Sequence, residues 1–210
     1  MEPFNLYYIN KIKEERKENY IQVISIDPAI KNFALRVERR YDSGLIKCIL
    51  FDKLDLSDPN PNLIYKNLID KLDCYNKIFL DCHIIIIEKQ FPNSINSIIR
   101  ITQHTITYFM ITLKDSKLNP YIYELSPKLK SKILNAPNKL KYKELKNWSI
   151  NKAIELLELR KDNFSLNIIN KNKKKDDFAD TVCQIEALFI YLKLLPTKLI
   201  INNMIINNNN

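Results

Sequence analysis

Glycine is almost missing: Gly44 is the only one in 210 residues. Phosphate loops and dinucleotide fingerprints need several glycines for close backbone approach, so no nucleotide cofactor of that kind is expected. Histidine is nearly as scarce, with only His83 and His104. His83 adjoins Cys82, and neighbours along a strand point to opposite faces, so the two do not form a shared metal site; His104 has no histidine partner in reach by sequence. Cys48, Cys74, Cys82 and Cys183 show no CxxC spacing and read as free thiols in a reducing compartment. There is no run of about 18 apolar residues, so no membrane span is expected. Residues 1–20 are too charged for a secretory signal, and a soluble intracellular protein is expected.

What is present is a globular composition, 46% hydrophobic, with a net charge of +9. Heavy use of Asn, Ile and Lys reflects an AT-rich genome and carries little structural information by itself. The charge is uneven. Between Lys128 and Lys175 lie 13 Lys and one Arg against Glu144, Glu155, Glu158 and Asp162, a net +10 that leaves the rest of the chain close to neutral. Such a segment is either a solvated helix face or a polyanion-binding surface, because clustered cations gain from phosphate contact and counterion release.

Patterning divides the chain into a charged arm (1–19), a folded domain (20–195) and an Asn/Ile-rich tail (196–210). Tyr20 to Val37 organises the domain: a β-branched run ends at Asp27-Pro28, and a second strand runs from Phe33 to about Arg40. Proline holds the residue before it extended and cannot donate to a ladder, so Asp27 closes a buried strand; a simple turn is the competing explanation of Asp-Pro. Tyr41 to Gly44 reads as a hairpin turn and Leu45–Phe51 as a third antiparallel strand. A helix with Leu63, Ile64, Leu68, Ile69 and Leu72 at helical spacing follows. Ile84 to Ile87 then form a strand buried on both faces and ending in Glu88. Ser94–Leu113 is an amphipathic helix, Tyr121–Leu125 a fifth strand, and Ser126-Pro127 opens a short basic helix. Asn138 to about Arg160 is helical, Lys161–Lys175 loop-like, and an apolar helix opens at Asp176-Asp177 with Asp180 on the face of Asp177. Capping and the macrodipole alone also favour acids there.

Asp27, Glu88, Asp177 and Asp180 thus sit at element ends that converge if the strands are neighbours and the last helix crosses them. Clustered carboxylates cannot all stay ionised without a cation, and oxygen-only donors suit Mg²⁺, with Mn²⁺ as substitute. Two such ions can assist phosphodiester hydrolysis, so acidic cluster and basic segment together point to a nuclease.

Three motifs carry a family resemblance. Asp27-Pro28-Ala29-Ile30-Lys31-Asn32-Phe33-Ala34 resembles the first-strand motif of RuvC-type Holliday junction resolvases, with Ala29 where glycine is usual. Ile87-Glu88-Lys89-Gln90 resembles their Ile-Glu-x-Gln strand end. Lys174-Lys175-Asp176-Asp177-Phe178-Ala179-Asp180-Thr181 resembles the Lys-Lys-Asp-Asp-x-Ala-Asp motif of the poxviral and mitochondrial branches. The motifs keep the family's order, while the basic insertion before the last one and the charged arm are departures. The resemblance implies an α/β ribonuclease H-like fold: a mixed five-stranded sheet, three antiparallel strands then two parallel, flanked by helices. It also implies a homodimer that cuts four-way DNA junctions by two symmetric nicks, in the host cytoplasm if the source is viral. Asp27, Glu88, Asp177 and Asp180 would be the catalytic, metal-binding acids, with two ions per site and Asp176 as an alternative to Asp177. The family also uses lysines near the scissile phosphate between the second and third motifs; Lys143, beside Glu144 at a helix head, is the expected catalytic lysine, with Lys130 in the preceding helix as the other candidate. Lys31, Lys128, Lys130, Lys132, Lys139, Lys141, Lys143, Lys174 and Lys175 are the expected DNA contacts. One site makes one nick, so a symmetric junction calls for two sites related by symmetry, and the helix Ser94–Leu113 is the expected interface. Another ribonuclease H-like nuclease, acting on hybrids or branched DNA, and a non-catalytic junction-binding protein are the alternatives.

Overall fold

The computed structural model describes residues 18–91 and 94–194, with Ile12. Most of the expected arm and all of the expected tail lie outside the described residues. Five strands form one sheet in the order β3-β2-β1-β4-β5: β1 (Tyr20–Asp27), β2 (Phe33–Tyr41), β3 (Ile46–Leu54), β4 (Ile84–Glu88) and β5 (Tyr121–Leu125). β1, β2 and β3 pair antiparallel, whereas β4 runs parallel to both β1 and β5. This is the mixed sheet expected from the sequence. Gly44, with φ 89°, makes the β2–β3 turn, a left-handed position that glycine takes without steric cost.

Side-chain alternation assigns the two faces. Ile24, Ile26, Ile85 and Ile87 point to a core closed by α1 (Pro61–Asp73), the short α2 (Asn76–Phe79) and α3 (Asn96–Thr112). Ile21, Val23, Ile84 and Ile86 point to the other core, closed by α4 (Pro127–Ile133), α5 (Tyr142–Leu159), α6 (Asn163–Lys171) and α7 (Asp176–Tyr191). By the same period Ser25, Asp27 and Glu88 face the α7 side. Every residue of α7 from Phe178 to Phe189 is buried except Asp180. A helix apolar nearly all round belongs between layers, and α7 lies between the sheet and α5.

Two expectations are corrected. Residues Lys161–Lys175 are not a loop: Asp162 caps α6 by accepting from the Ser165 amide (3.0 Å), and Ile169 is buried against the core. The signal was masked by polar residues on the outer face. The helix expected from Asn138 begins at Tyr142, because Asn135 (φ 60°) and Lys139 (φ 65°) turn the backbone into the left-handed region.

An ion network locks α5, α6 and α7 to β2. Arg36, fully buried, bonds Glu38 Oε1 (2.6 Å), Asp162 Oδ2 (2.9 Å) and Ser165 Oγ (2.8 Å). Arg40 Nε donates to Glu38 Oε2 (3.0 Å), and Arg160 reaches both Glu38 and Glu186. Three cations face three acids, so the network is balanced. Burial works against the Glu38 carboxylate, but Arg36, Arg40 and Arg160 prevail and hold its carboxyl far below the usual range.

Candidate active site

Asp27 and Glu88 are the last residues of adjacent parallel strands. The register pairs Ile26 with Ile87, so both carboxylates leave the same end and the same face of the sheet. The first two turns of α7 pass over that end and bring Asp180 to it. A lysine joins the elements: Lys130 Nζ, from α4, lies 2.6 Å from Asp180 Oδ1 and 3.3 Å from Glu88 Oε2. Its residue is only 4% exposed, which makes the ammonium an internal counter-ion. Burial opposes its charge, but Asp180 and Glu88 outweigh that and raise its pKa.

Buried side chains orient the acids. Ser149 Oγ on α5 donates to Asp180 Oδ1 (2.7 Å). Gln184 Nε2 donates to Glu88 Oε2 (3.2 Å), while Ser25 Oγ donates to Gln184 Oε1 (2.7 Å). The carboxyl of Asp27 is pushed well above its ordinary range by burial and then by the charges of Glu88 and Asp180, with Lys130 pulling the other way. Asp177 contributes to the same rise more weakly. Glu88 is raised too, by burial, although Lys130 opposes it. Such a site favours uptake of positive charge.

The adjacent acids Asp176 and Asp177 differ. Asp176 pairs with Lys146 of α5, which overcomes its burial and lowers its pKa. Asp177 has its nearest cation, Lys53 of β3, at 3.8 Å, and its buried Oδ2 accepts no hydrogen bond. Burial followed by the Asp176 charge raises its pKa. Among the described residues, no three His, Cys, Asp or Glu side chains are arranged to close on one ion. The donors nevertheless suit a hard divalent cation: oxygen ligands only, one buried carboxylate oxygen that accepts no hydrogen bond, and a cluster with more negative charge than Lys130 balances.

Lys143, the expected catalytic lysine, is exposed on the first turn of α5 and makes no ion pair with the acids, whose lysine partners among the described residues are Lys53, Lys130 and Lys146. The face of α5 that meets them carries Lys146 and Ser149, and Lys143 is off that stripe. Lys130, expected as a DNA contact and as the second candidate beside the scissile phosphate, is buried between the acids. Lys31, Lys128, Lys132, Lys139, Lys141 and Lys174 are exposed, and Lys175 is half-buried. Phe91, three residues beyond Glu88, is 43% exposed with Lys128 Nζ 5.8 Å from its ring centroid. The sequence reading missed Ser25, Lys53, Lys146, Ser149 and Gln184. Two had a local signal: Ser25 shares the strand face of Asp27, and Gln184 lies one helical turn after Asp180.

Residues 21–190 match the sequence profile of the family described as Poxvirus A22 protein. Uncharacterized protein 170L of Invertebrate iridescent virus 6 is 26% identical over 152 residues, covering 64% of this chain and 61% of the relative. Uncharacterized protein 97L of Invertebrate iridescent virus 3 is 27% identical over 120 residues, covering 57% and 54%. The chain thus spans little more than half the length of these curated relatives. Among solved structures, Thermus thermophilus RuvC in complex with a Holliday junction substrate aligns with a TM-score of 0.56 at 12% identity, covering 84% of this chain and 98% of that one. The yeast mitochondrial Holliday junction resolvase Ydc2 aligns at 0.58 and 17%, covering 88% and 86%. At these identities the likeness shows a shared RuvC-type, ribonuclease H-like fold.

Proposed function

The chain belongs to the Poxvirus A22 protein family, and from that premise we propose that it is a structure-selective endonuclease resolving four-way DNA junctions. One observation carries the reading: Asp27 and Glu88 end neighbouring parallel strands on one face, and Lys130 links Glu88 to Asp180 of the crossing helix. The solved structures of similar fold include one named for its complex with a Holliday junction and one named as a Holliday junction resolvase, which supports the same substrate here. We assign the activity to one domain, residues 20–195, acting as a homodimer so that two sites make paired symmetric nicks. The viral relatives support action in the cytoplasm of an infected host cell.

Asp27, Glu88, Asp177 and Asp180 would hold Mg²⁺ or Mn²⁺, two ions per site. Asp177 is preferred to Asp176 because its Oδ2 accepts no hydrogen bond and has Lys53 only at 3.8 Å, whereas Asp176 is committed to Lys146. Metal held there would supply an activated water and charge neutralisation for phosphodiester hydrolysis. The protein supplies position. Ser149 and Gln184 fix the two carboxylates that Lys130 bridges, and the Lys130 ammonium sets a positive charge between them. Exposed Lys128, Lys132, Lys139, Lys141, Lys143 and Lys174 would carry the DNA backbone.

The test is cleavage of a synthetic four-way junction by the full chain with Mg²⁺, mapping nicks on all four strands beside flap, duplex and RNA:DNA hybrid controls. Symmetric nicks confined to the junction are expected, with Asp27→Asn binding but not cutting. Equal cutting of hybrid or flap would assign a broader ribonuclease H-like nuclease, and binding without turnover a junction-binding protein. No nicking with any divalent metal, or full activity in Asp27→Asn, would sink the proposal.

A further inference from the structure

Tyr142 opens α5 and is 73% exposed, the most exposed large hydrophobic side chain among the described residues. Isolated exposed apolar residues are ordinary on protein surfaces. Two features set this one apart. Its ring is held: Lys146 Nζ lies 5.0 Å from the ring centroid, and Lys146 is itself anchored to Asp176. It also belongs to the stripe that meets the acids, since Tyr142, Lys146 and Ser149 recur at helical spacing and Ser149 bonds Asp180. Seven residues of helix rise about 10 Å. A DNA strand advances about 3.4 Å per nucleotide, so a strand running along α5 would cover the rise from Tyr142 to Ser149, the residue bonded to Asp180, in about three nucleotides.

The surroundings are cationic. Lys132, Lys139, Lys141 and Lys143 are exposed along the approach to α5 and its first turn. The one acid of that turn, Glu144, is engaged in accepting from the Lys141 amide (2.7 Å). A fixed aromatic ring among exposed cations is how proteins hold unpaired nucleotides, because every base offers a π-face whatever its sequence.

Building on the nuclease reading above, we propose that Tyr142 is a stacking platform for a base unpaired at the branch point, positioning the strand for cutting at the carboxylates. The residue acts on the DNA through this contact and takes no part in the hydrolysis. It adds affinity for branched over continuous DNA, since in an unbroken duplex every base already has stacking partners on both sides.

The test compares the full-length wild type, Tyr142→Phe and Tyr142→Ala. Binding is measured to a four-way junction carrying 2-aminopurine within three nucleotides of the mapped nick, and to a plain duplex. The wild type and Tyr142→Phe should change the 2-aminopurine fluorescence on binding. Tyr142→Ala should lose that change and bind the junction about tenfold more weakly, the effect of one lost base–aromatic stack, with duplex affinity unaltered. Thermal unfolding of Tyr142→Ala at the wild-type midpoint would exclude damage to the fold. Junction affinity within twofold of wild type, an equal loss on duplex and junction, or an unchanged fluorescence response in Tyr142→Ala would overturn the platform while leaving the nuclease reading standing. A wild type that cuts no junction would overturn that reading instead.

Discussion

Replacing Lys130 by methionine removes, among the described residues, the only cation that touches both Glu88 and Asp180 while keeping most of the side-chain volume. Removing one partner of a buried ion pair costs about 3–5 kcal/mol, because the remaining charge is left uncompensated. The Glu88 and Asp180 side chains keep 17% and 22% of their exposure, so water relieves part of the penalty and the lower end, about 3 kcal/mol, applies. For a domain of this size that lowers the thermal midpoint by about 6–12 °C, readable by circular dichroism in EDTA near neutral pH. The deficit should shrink at about pH 5. Asp27 and Glu88 already have raised pKa values, and without Lys130 the folded state takes up more protons than the unfolded one, so stability rises as pH falls. Millimolar Mg²⁺ should also narrow the gap, since a cation bound only by the folded state stabilises it. A midpoint within about 2 °C of wild type, or a deficit indifferent to both pH and Mg²⁺, would refute the view of Lys130 as the internal counter-ion.

Asp27→Asn should abolish nicking yet raise the midpoint in EDTA, because it removes a charge disfavoured by burial and then by Glu88 and Asp180. A lower midpoint would contradict that. Gln184→Leu should slow nicking about tenfold with junction affinity unchanged, as expected when a group that orients a metal-binding carboxylate is lost; the split between rate and Kd checks it. Glu38, Glu186 and Asp162 are each opposed by burial but held below the usual carboxylate range by arginine or, for Asp162, first by Ser165. Their stabilisation is therefore complete above the unfolded values near about 4 and is lost as pH falls through the lower folded values. Glu38→Gln should cost about 3–5 kcal/mol near neutral pH and flatten the acid limb of a urea-unfolding series.

Local chemistry was enough for the strands and for most of the acids. The alternation of Ile21, Val23 and Ser25, the stop at Pro28, the four isoleucines before Glu88 and the apolar run after Asp180 each act within a few residues. Pattern alone therefore located Asp27, Glu88 and Asp180 at the ends of their elements, and the family's motifs supplied the strand order. Tertiary packing decided what depends on partners distant in sequence. Lys130 meets Glu88 across 42 residues and Asp180 across 50, and nothing near it distinguishes it from exposed Lys128 or Lys132. Asp176 and Asp177 look alike in the chain and diverge because Lys146 closes on Asp176 while Lys53 stays 3.8 Å from Asp177. The helix over Asn163–Lys171 depends on Arg36, 129 residues before Ser165, so its sequence reads as loop until β2 is beside it. Hydrophobic period and turn residues are short-range properties, whereas the partner of a charge is settled by where the folded layers bring it.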